Sequence, residues 1–562
     1  MTNKVPNAPI NRRKMLQSVG ALTAALAIPK SLTNQAGSIG LSEGINPPAG
    51  SDRPRRPMAL PTLATIVLNR AAYGPRPGVF DANTFLAFPG ATDSERLINF
   101  IDWQLNPDSI DDSICDTHIT AANLVTLTKS LTQLWADHYE SPNGERILPL
   151  QEVITATFIR GMYSQRQLFE IITAFWHNHF SIYAWDYQYA SATWVHYDRD
   201  VIRAHALGNF RAMLGAVATS PAMLYYLNNN INQAGGPNEN WAREVFELHT
   251  LGAENYLGTQ AQSNVPGYPL NPIGFVDPDI FEATRCFTGW RVNDGDYPLQ
   301  TSTGEFYYHE PWHDHFQKFV LGQFLPANSG PMEDGLKVLD MLAAHPGTAR
   351  FISRKLCRRL ISDDPPQSVV NAAAAEFSAN INAPDQIKRV LRVILLSDAF
   401  QNTFGDKIKQ PSEAALSMLR AINADFFPSQ EFIWNYEAMG QPMFEHRSPD
   451  GYSDLKESWS NTTSFLKRWQ IALSITENTF TGISTDIVSQ MPGSYTTANA
   501  IVDFWIERIV GRPLTSEAQR SRLVDFMRGP YSAGFTLTPS YISNVLPRLT
   551  ALILMSPDFQ LR

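Results

Sequence analysis

Thr62-Leu63-Ala64-Thr65-Ile66-Val67-Leu68-Asn69-Arg70 sets the period of this chain. Its apolar residues fall at i, i+3 and i+4 before the run breaks at Gly74-Pro75, which is the spacing of an amphipathic helix. The same spacing returns at residues 152–163, 167–179, 210–219, 241–251, 335–344, 348–361, 386–396, 412–424, 463–475, 497–509 and 542–555. Strand alternation is scarce and short. The expected fold class is all-α: a large multi-helix globular body with long irregular loops and few or no strands. Residues 252–279, rich in Gly, Pro and Asn, and the aromatic stretch 294–324 are too punctuated for core helices. Loops of that length are often functional. The body is expected to span 62–562, with room for a division into two subdomains near 400–430.

Three helix ends echo one another: Thr219-Ser220-Pro221-Ala222-Met223, Leu396-Ser397-Asp398-Ala399-Phe400 and Met555-Ser556-Pro557-Asp558-Phe559. They share no fixed period, so a solenoid is not supported. A recurring helix terminus whose Met or Phe packs back on the core accounts for them.

Upstream of Thr62, residues 31–61 hold Pro47-Pro48-Ala49-Gly50 together with Pro54, Pro57 and Pro61. This composition cannot bury a core and reads as a disordered spacer. Before it, Arg12-Arg13 is followed by Met15-Leu16 and a short, weakly apolar run. Residues 1–30 therefore read as a twin-arginine signal peptide, and the expected location is periplasmic or extracellular.

The formal charge of −9 and the lack of any dense Lys/Arg run beyond the short patch Arg53-Pro54-Arg55-Arg56 argue against a nucleic-acid partner. No apolar run after the leader approaches the ~20 residues needed to span a bilayer. Three cysteines without CxxC spacing allow one disulfide at most, which excludes a disulfide scaffold.

Histidine is the informative residue type. Trp176-His177-Asn178-His179-Phe180 closes an apolar helix, and a spacing of two sets its histidines roughly 200° apart. His179 joins the apolar side and His177 faces away; both reach one metal only if the helix unwinds at Asn178. Asn238-Glu239-Asn240-Trp241-Ala242-Arg243-Glu244-Val245-Phe246-Glu247-Leu248-His249 is a second punctuated helix. Its Glu239–Arg243–Glu247 spacing makes an i,i+4 ion-pair ladder, or else aims Glu244 and Glu247 into a cleft. His309-Glu310-Pro311-Trp312-His313 satisfies H-E-x-x-H in letters. Pro311 opposes a zinc-peptidase helix there, because proline suits the first helical position and leaves His309 outside.

Taken with Leu68-Asn69-Arg70-Ala71-Ala72-Tyr73-Gly74-Pro75, Phe287-Thr288-Gly289-Trp290, His313-Asp314, His345-Pro346-Gly347-Thr348-Ala349-Arg350-Phe351, Lys355-Leu356 and Met439-Gly440-Gln441-Pro442, these motifs form an ordered set. The chain resembles the bacterial family catalogued as domain of unknown function 1800. The resemblance runs from about residue 62 to the end of the chain. It implies a helical, usually exported protein without an established activity, often encoded beside a second exported protein resembling phosphatases and sulfatases. It marks His177, His179, the Asn240–His249 segment, His313, Asp314 and His345 as motif positions, and leaves out His309, Glu310 and His315. Where the family pattern has Gly-Trp, this chain has Gly451-Tyr452 after an unusual Glu445-His446-Arg447 insert.

Two functions compete. The first is a metal-dependent, hydrolase-type enzyme with a divalent cation on His177, His179, His249 and His313, and with Glu244, Glu247 and Arg243 as the catalytic group. That reading expects the segments to meet within ~10 Å in a polar cleft. The second is a non-catalytic exported scaffold, or partner of the co-encoded protein, in which the polar motifs only tie helices together.

Overall fold

The computed structural model describes residues 60–562 apart from Tyr187, Tyr297, Pro298 and Gln300. The expected leader, and all but the last two residues of the expected spacer, lie outside the described residues. Helices dominate, as the period required. The first, Leu63–Arg70, is started by the Thr62 hydroxyl, which accepts from the Thr65 amide at 3.3 Å. It buries Ile66, Val67 and Leu68. The site-bearing helices follow as Leu148–Tyr163, Gln167–His179, Ala190–His196, Asn240–Glu244, Pro346–Leu360 and Pro411–Ala421.

Strand is confined to three two-stranded antiparallel pairs. Trp290–Asp294 pairs with Ser302–Tyr308, and the second of these strands falls inside the aromatic stretch 294–324 that reads as loop. Lys318–Val320 pairs with Gln323–Leu325, and Asp425–Phe426 with Ile483–Ser484. The described chain packs as one compact unit around a continuous apolar core. Residues 400–430 lie inside that unit, where the Pro411–Ala421 helix is buried along its whole length. No helix among the described residues is long and apolar enough to cross a membrane.

The three echoing termini share one device. Each serine precedes a new short helix, Pro221–Tyr226, Asp398–Gln401 or Pro557–Gln560. Ser397 and Ser556 cap theirs by accepting from the Phe400 and Phe559 amides. Met223, Phe400 and Phe559 are all buried, so the helix end is pinned by its own apolar residue.

Helix Gln167–His179 runs through the middle of the core with its first turn tied down by glutamines. Gln104 Oε1 accepts from the Leu168 amide at 3.0 Å, satisfying a donor that a helix start leaves open. Gln167 donates to the carbonyls of Gly161 and Ser164 and accepts from the Tyr73 amide. These bonds fix the rotation of the helix, and therefore the directions in which His177 and His179 point.

Candidate functional site

The helix does not unwind at Asn178. Phe180 N still donates to Trp176 O at 2.9 Å, and the two histidines leave opposite sides of the last turn. His177 is buried beside Asp198, with Nε2 to Oδ1 at 2.9 Å. Asp198 sits on a wide, π-helical continuation, Tyr197–Arg203, of helix Ala190–His196; such turns recur at functional sites because the extra residue re-aims a side chain. Burial alone would raise the Asp198 carboxyl. Arg203, the hydrogen bond and charge of His177, and Arg160 at 3.6 Å outweigh it and bring the group down to about 2. Asp198 is therefore a carboxylate, and it accepts the Nε2 proton of His177. In the neutral ring the lone pair is then on Nδ1, which is buried and has no hydrogen-bond partner.

His177 and Asp198 line a cavity of about 100 Å³. Thr173, one turn back on the same helix face, lines it too, and its hydroxyl is likewise without a partner. Arg203 and Glu170 form a bidentate pair at the wall, and Arg359 reaches the wall from helix Pro346–Leu360. Tyr73, Gln410, Ser412 and Tyr436 add to the wall, and one side of it is formed from the segment 441–454, strapped to Asn178. Asn178 Nδ2 donates to Tyr452 O and Tyr452 N donates to Asn178 Oδ1, both at 2.8 Å. Gly451, at φ +75°, presses so closely that a Cβ there would lie 2.2 Å from Asn178 O. Tyr452 anchors the strap through its hydroxyl, which donates to Pro442 O at 2.8 Å. Phe444, held at φ +57°, stands 4.9 Å from the His177 ring. Strain of this kind persists only where surrounding packing enforces it.

The other expected ligands are elsewhere. His179 points to the far side: Nε2 donates to His249 O at 3.1 Å and Nδ1 faces Lys355 Nζ at 3.0 Å. Burial, then the charges of Lys355 and His249, hold it well below the usual imidazole range. His249 is packed against Phe180 and Trp241, with neither ring nitrogen bonded. His313 belongs to a third place, where Nδ1 meets Thr288 O at 3.0 Å and Nε2 meets Asp334 at 3.1 Å beside Lys318. The expected meeting of His177, His179, His249 and His313 therefore does not occur. Among the described residues, no group of three or more His, Cys, Asp or Glu gathers as a metal would require. His179 and His313 are bonded at both ring nitrogens to carbonyls, a carboxylate and an amine, and His177 at one to a carboxylate.

Glu244, Glu247 and Arg243 do not line the cavity. Arg243 bonds Glu239 at 3.2 Å and Glu247 at 3.1 Å, so the ion-pair ladder is what forms. Glu244 is half-buried; burial and then Glu247 raise its carboxyl, against Arg243. His309 starts a short 3-10 turn, Glu310–Trp312, with Pro311 in its first positions, so the H-E-x-x-H letters form no helix. His345 caps helix Pro346–Leu360 by accepting from Gly347 N, while its other nitrogen donates to Pro272 O. Of the seven expected site residues, the cavity takes His177 alone. Sequence reading missed Asp198, Thr173, Arg203 and Arg359. A charged signal existed in His196-Tyr197-Asp198-Arg199-Asp200, set in an otherwise apolar helix. A buried carboxylate there demands a partner.

A family model described as a protein of unknown function (DUF1800) matches residues 66–561. No curated protein and no solved structure matches the chain.

Proposed function

The chain belongs to the DUF1800 family, whose function is unknown, and from there we propose that the cavity is an acid–base active site of hydrolase type, with His177 as general base and Asp198 as the residue that orients it. The observation that carries the reading is the buried Asp198–His177 couple on the cavity wall, with the Nδ1 lone pair left free. A water in the cavity gives a proton to Nδ1 as its oxygen attacks an electrophilic carbon or phosphorus of the substrate. Asp198 stabilises the imidazolium that results, and the same proton then passes to the departing group. In this reading the unpartnered Thr173 hydroxyl, one turn back on the same helix face, holds the attacking water. Arg359 and the polar wall of Tyr73, Gln410 and Ser412 suit a substrate with oxygen acceptors.

This form of the reaction needs none of the four-histidine metal cluster, whose members are apart. A purely scaffolding role offers no reason to leave a buried imidazole nitrogen and a hydroxyl unbonded beside a cavity, each at a cost of about 1–3 kcal/mol. The twin-arginine reading of residues 1–30 supports action outside the cytoplasm.

The test is a panel of chromogenic esters, phosphoesters, glycosides and peptides, run with the purified chain and its His177→Gln variant. Turnover of one class by the parent, abolished in the variant while the melting temperature holds, is expected. No turnover of any class, or turnover indifferent to His177, overturns the reading.

A further inference from the structure

The far face of the same helix carries a second arrangement that the cavity does not use. Lys355, on helix Pro346–Leu360, is part-exposed, and its Nζ lies 3.0 Å from His179 Nδ1. The tautomer of His179 is set by its other nitrogen. Nε2 faces the His249 carbonyl, which only accepts, so Nε2 carries the proton and Nδ1 presents a lone pair to the amine. The partner of Lys355 is thus a neutral base.

Of the buried lysines, Lys409 lies over the Phe559 ring with no ion pair among the described residues, whereas two are held by carboxylates. Lys318 meets Asp334 at 2.7 Å, and Lys407 pairs with Asp363. Lys355 forms no ion pair among the described residues; Asp450, Asp454 and Glu254 act on it only from a distance, as does Arg358 from its own helix. A contacting carboxylate would hold the amine as its ammonium; Lys355 has none among the described residues, and the acceptor it does have is itself a base that can take its proton. Burial pulls the Lys355 ammonium below the ordinary lysine range, with Arg358 adding to it and the three carboxylates opposing.

We propose that Lys355 is a nucleophilic amine that binds an aldehyde or ketone as an imine, with His179 as its proton acceptor. The Nζ lone pair attacks the carbonyl carbon, the C–N bond forms, and the π pair moves to oxygen. One amine proton passes by way of His179 Nδ1 to the alkoxide, giving the neutral carbinolamine; the second amine proton follows by the same route to the hydroxyl, which leaves as water when the C=N bond closes. No oxidant or reductant enters. The inference does not rest on the hydrolase reading, since Lys355 is outside the cavity lining.

Labelling of the full chain by propanal with cyanoborohydride, near neutral pH and at limiting aldehyde, tests it by peptide mapping. Lys355 should be alkylated about tenfold faster than the exposed Lys337 on helix Glu333–Ala344. In His179→Gln the rate at Lys355 should fall to that of Lys337, and Lys355→Arg should remove the label while the melting temperature is kept. Alkylation of Lys355 in the parent protein at or below the rate of Lys337 overturns the proposal, and that comparison needs no variant to fold.

Discussion

His249 is fully buried, with both ring nitrogens unbonded, and burial followed by the charge of Lys355 lowers it to about 3. The folded protein therefore keeps this ring neutral while the unfolded chain protonates it near 6.5. Between those two values the unfolded state binds the extra proton, so stability falls as pH drops. Going from about pH 7 to about pH 4, His249 should remove about 3 kcal/mol. Urea unfolding of the parent and of His249→Phe at the two pH values checks this; the variant should lose less on acidification by that amount. Asp198 has the same sign in a lower window: its contribution is complete above the ordinary aspartate range and is lost as pH falls towards about 2. At this scale the helical wheel was a sound guide to His177 and His179, which leave opposite faces as their spacing requires. It could not pair them, because Asp198 and Lys355 reach them only through tertiary packing, 21 and 176 residues away along the chain.

The strap that walls the cavity depends on one glycine. Gly451 combines a positive φ with contact against the backbone of Asn178, so Gly451→Ala must both strain its backbone and push the strap off the helix. A loss of about 1–3 kcal/mol is expected, with faster amide exchange confined to residues 441–454 and little change in helix Gln167–His179. Unchanged exchange would mean that the strap is held mainly by Gln441, Tyr226 and Tyr183. Elements with a strong period were legible within a few residues, from Gln167–His179 to Ala498–Val510. The π-helical turns were not, since an inserted residue leaves no mark in a 3.6-residue pattern; Tyr197–Arg203 and Val245–His249 both carry side chains that matter here. The hairpin of Trp290–Asp294 and Ser302–Tyr308 was hidden by glycines, including Gly304, whose missing Cβ makes room for Trp135.

Across the whole molecule, distant segments are locked by a buried ionic cluster behind the cavity. Glu413 pairs with Arg359 at 2.6 Å and with Arg562 at 3.0 Å, joining three parts of the chain. Burial would raise its carboxyl, yet Arg359 and then Arg562 bring it down to about 2. Removing the acid leaves two buried guanidinium groups facing each other, so Glu413→Gln should cost about 3–5 kcal/mol in denaturant unfolding. The all-α class was readable from the period, because it follows from local spacing. The cavity was not, because His177 is the one expected site residue that lines it and its carboxylate lies on a turn that spacing does not reveal. His177 carries the proposed chemistry. With the proposed hydrolytic site in the cavity, kcat/KM on the substrate class that is turned over should drop about 10²–10⁴-fold in His177→Gln and in Asp198→Asn, while Glu244→Gln and Glu247→Gln stay close to the parent. A His177→Gln enzyme that keeps its rate, or a loss that follows Glu244 instead, would contradict it.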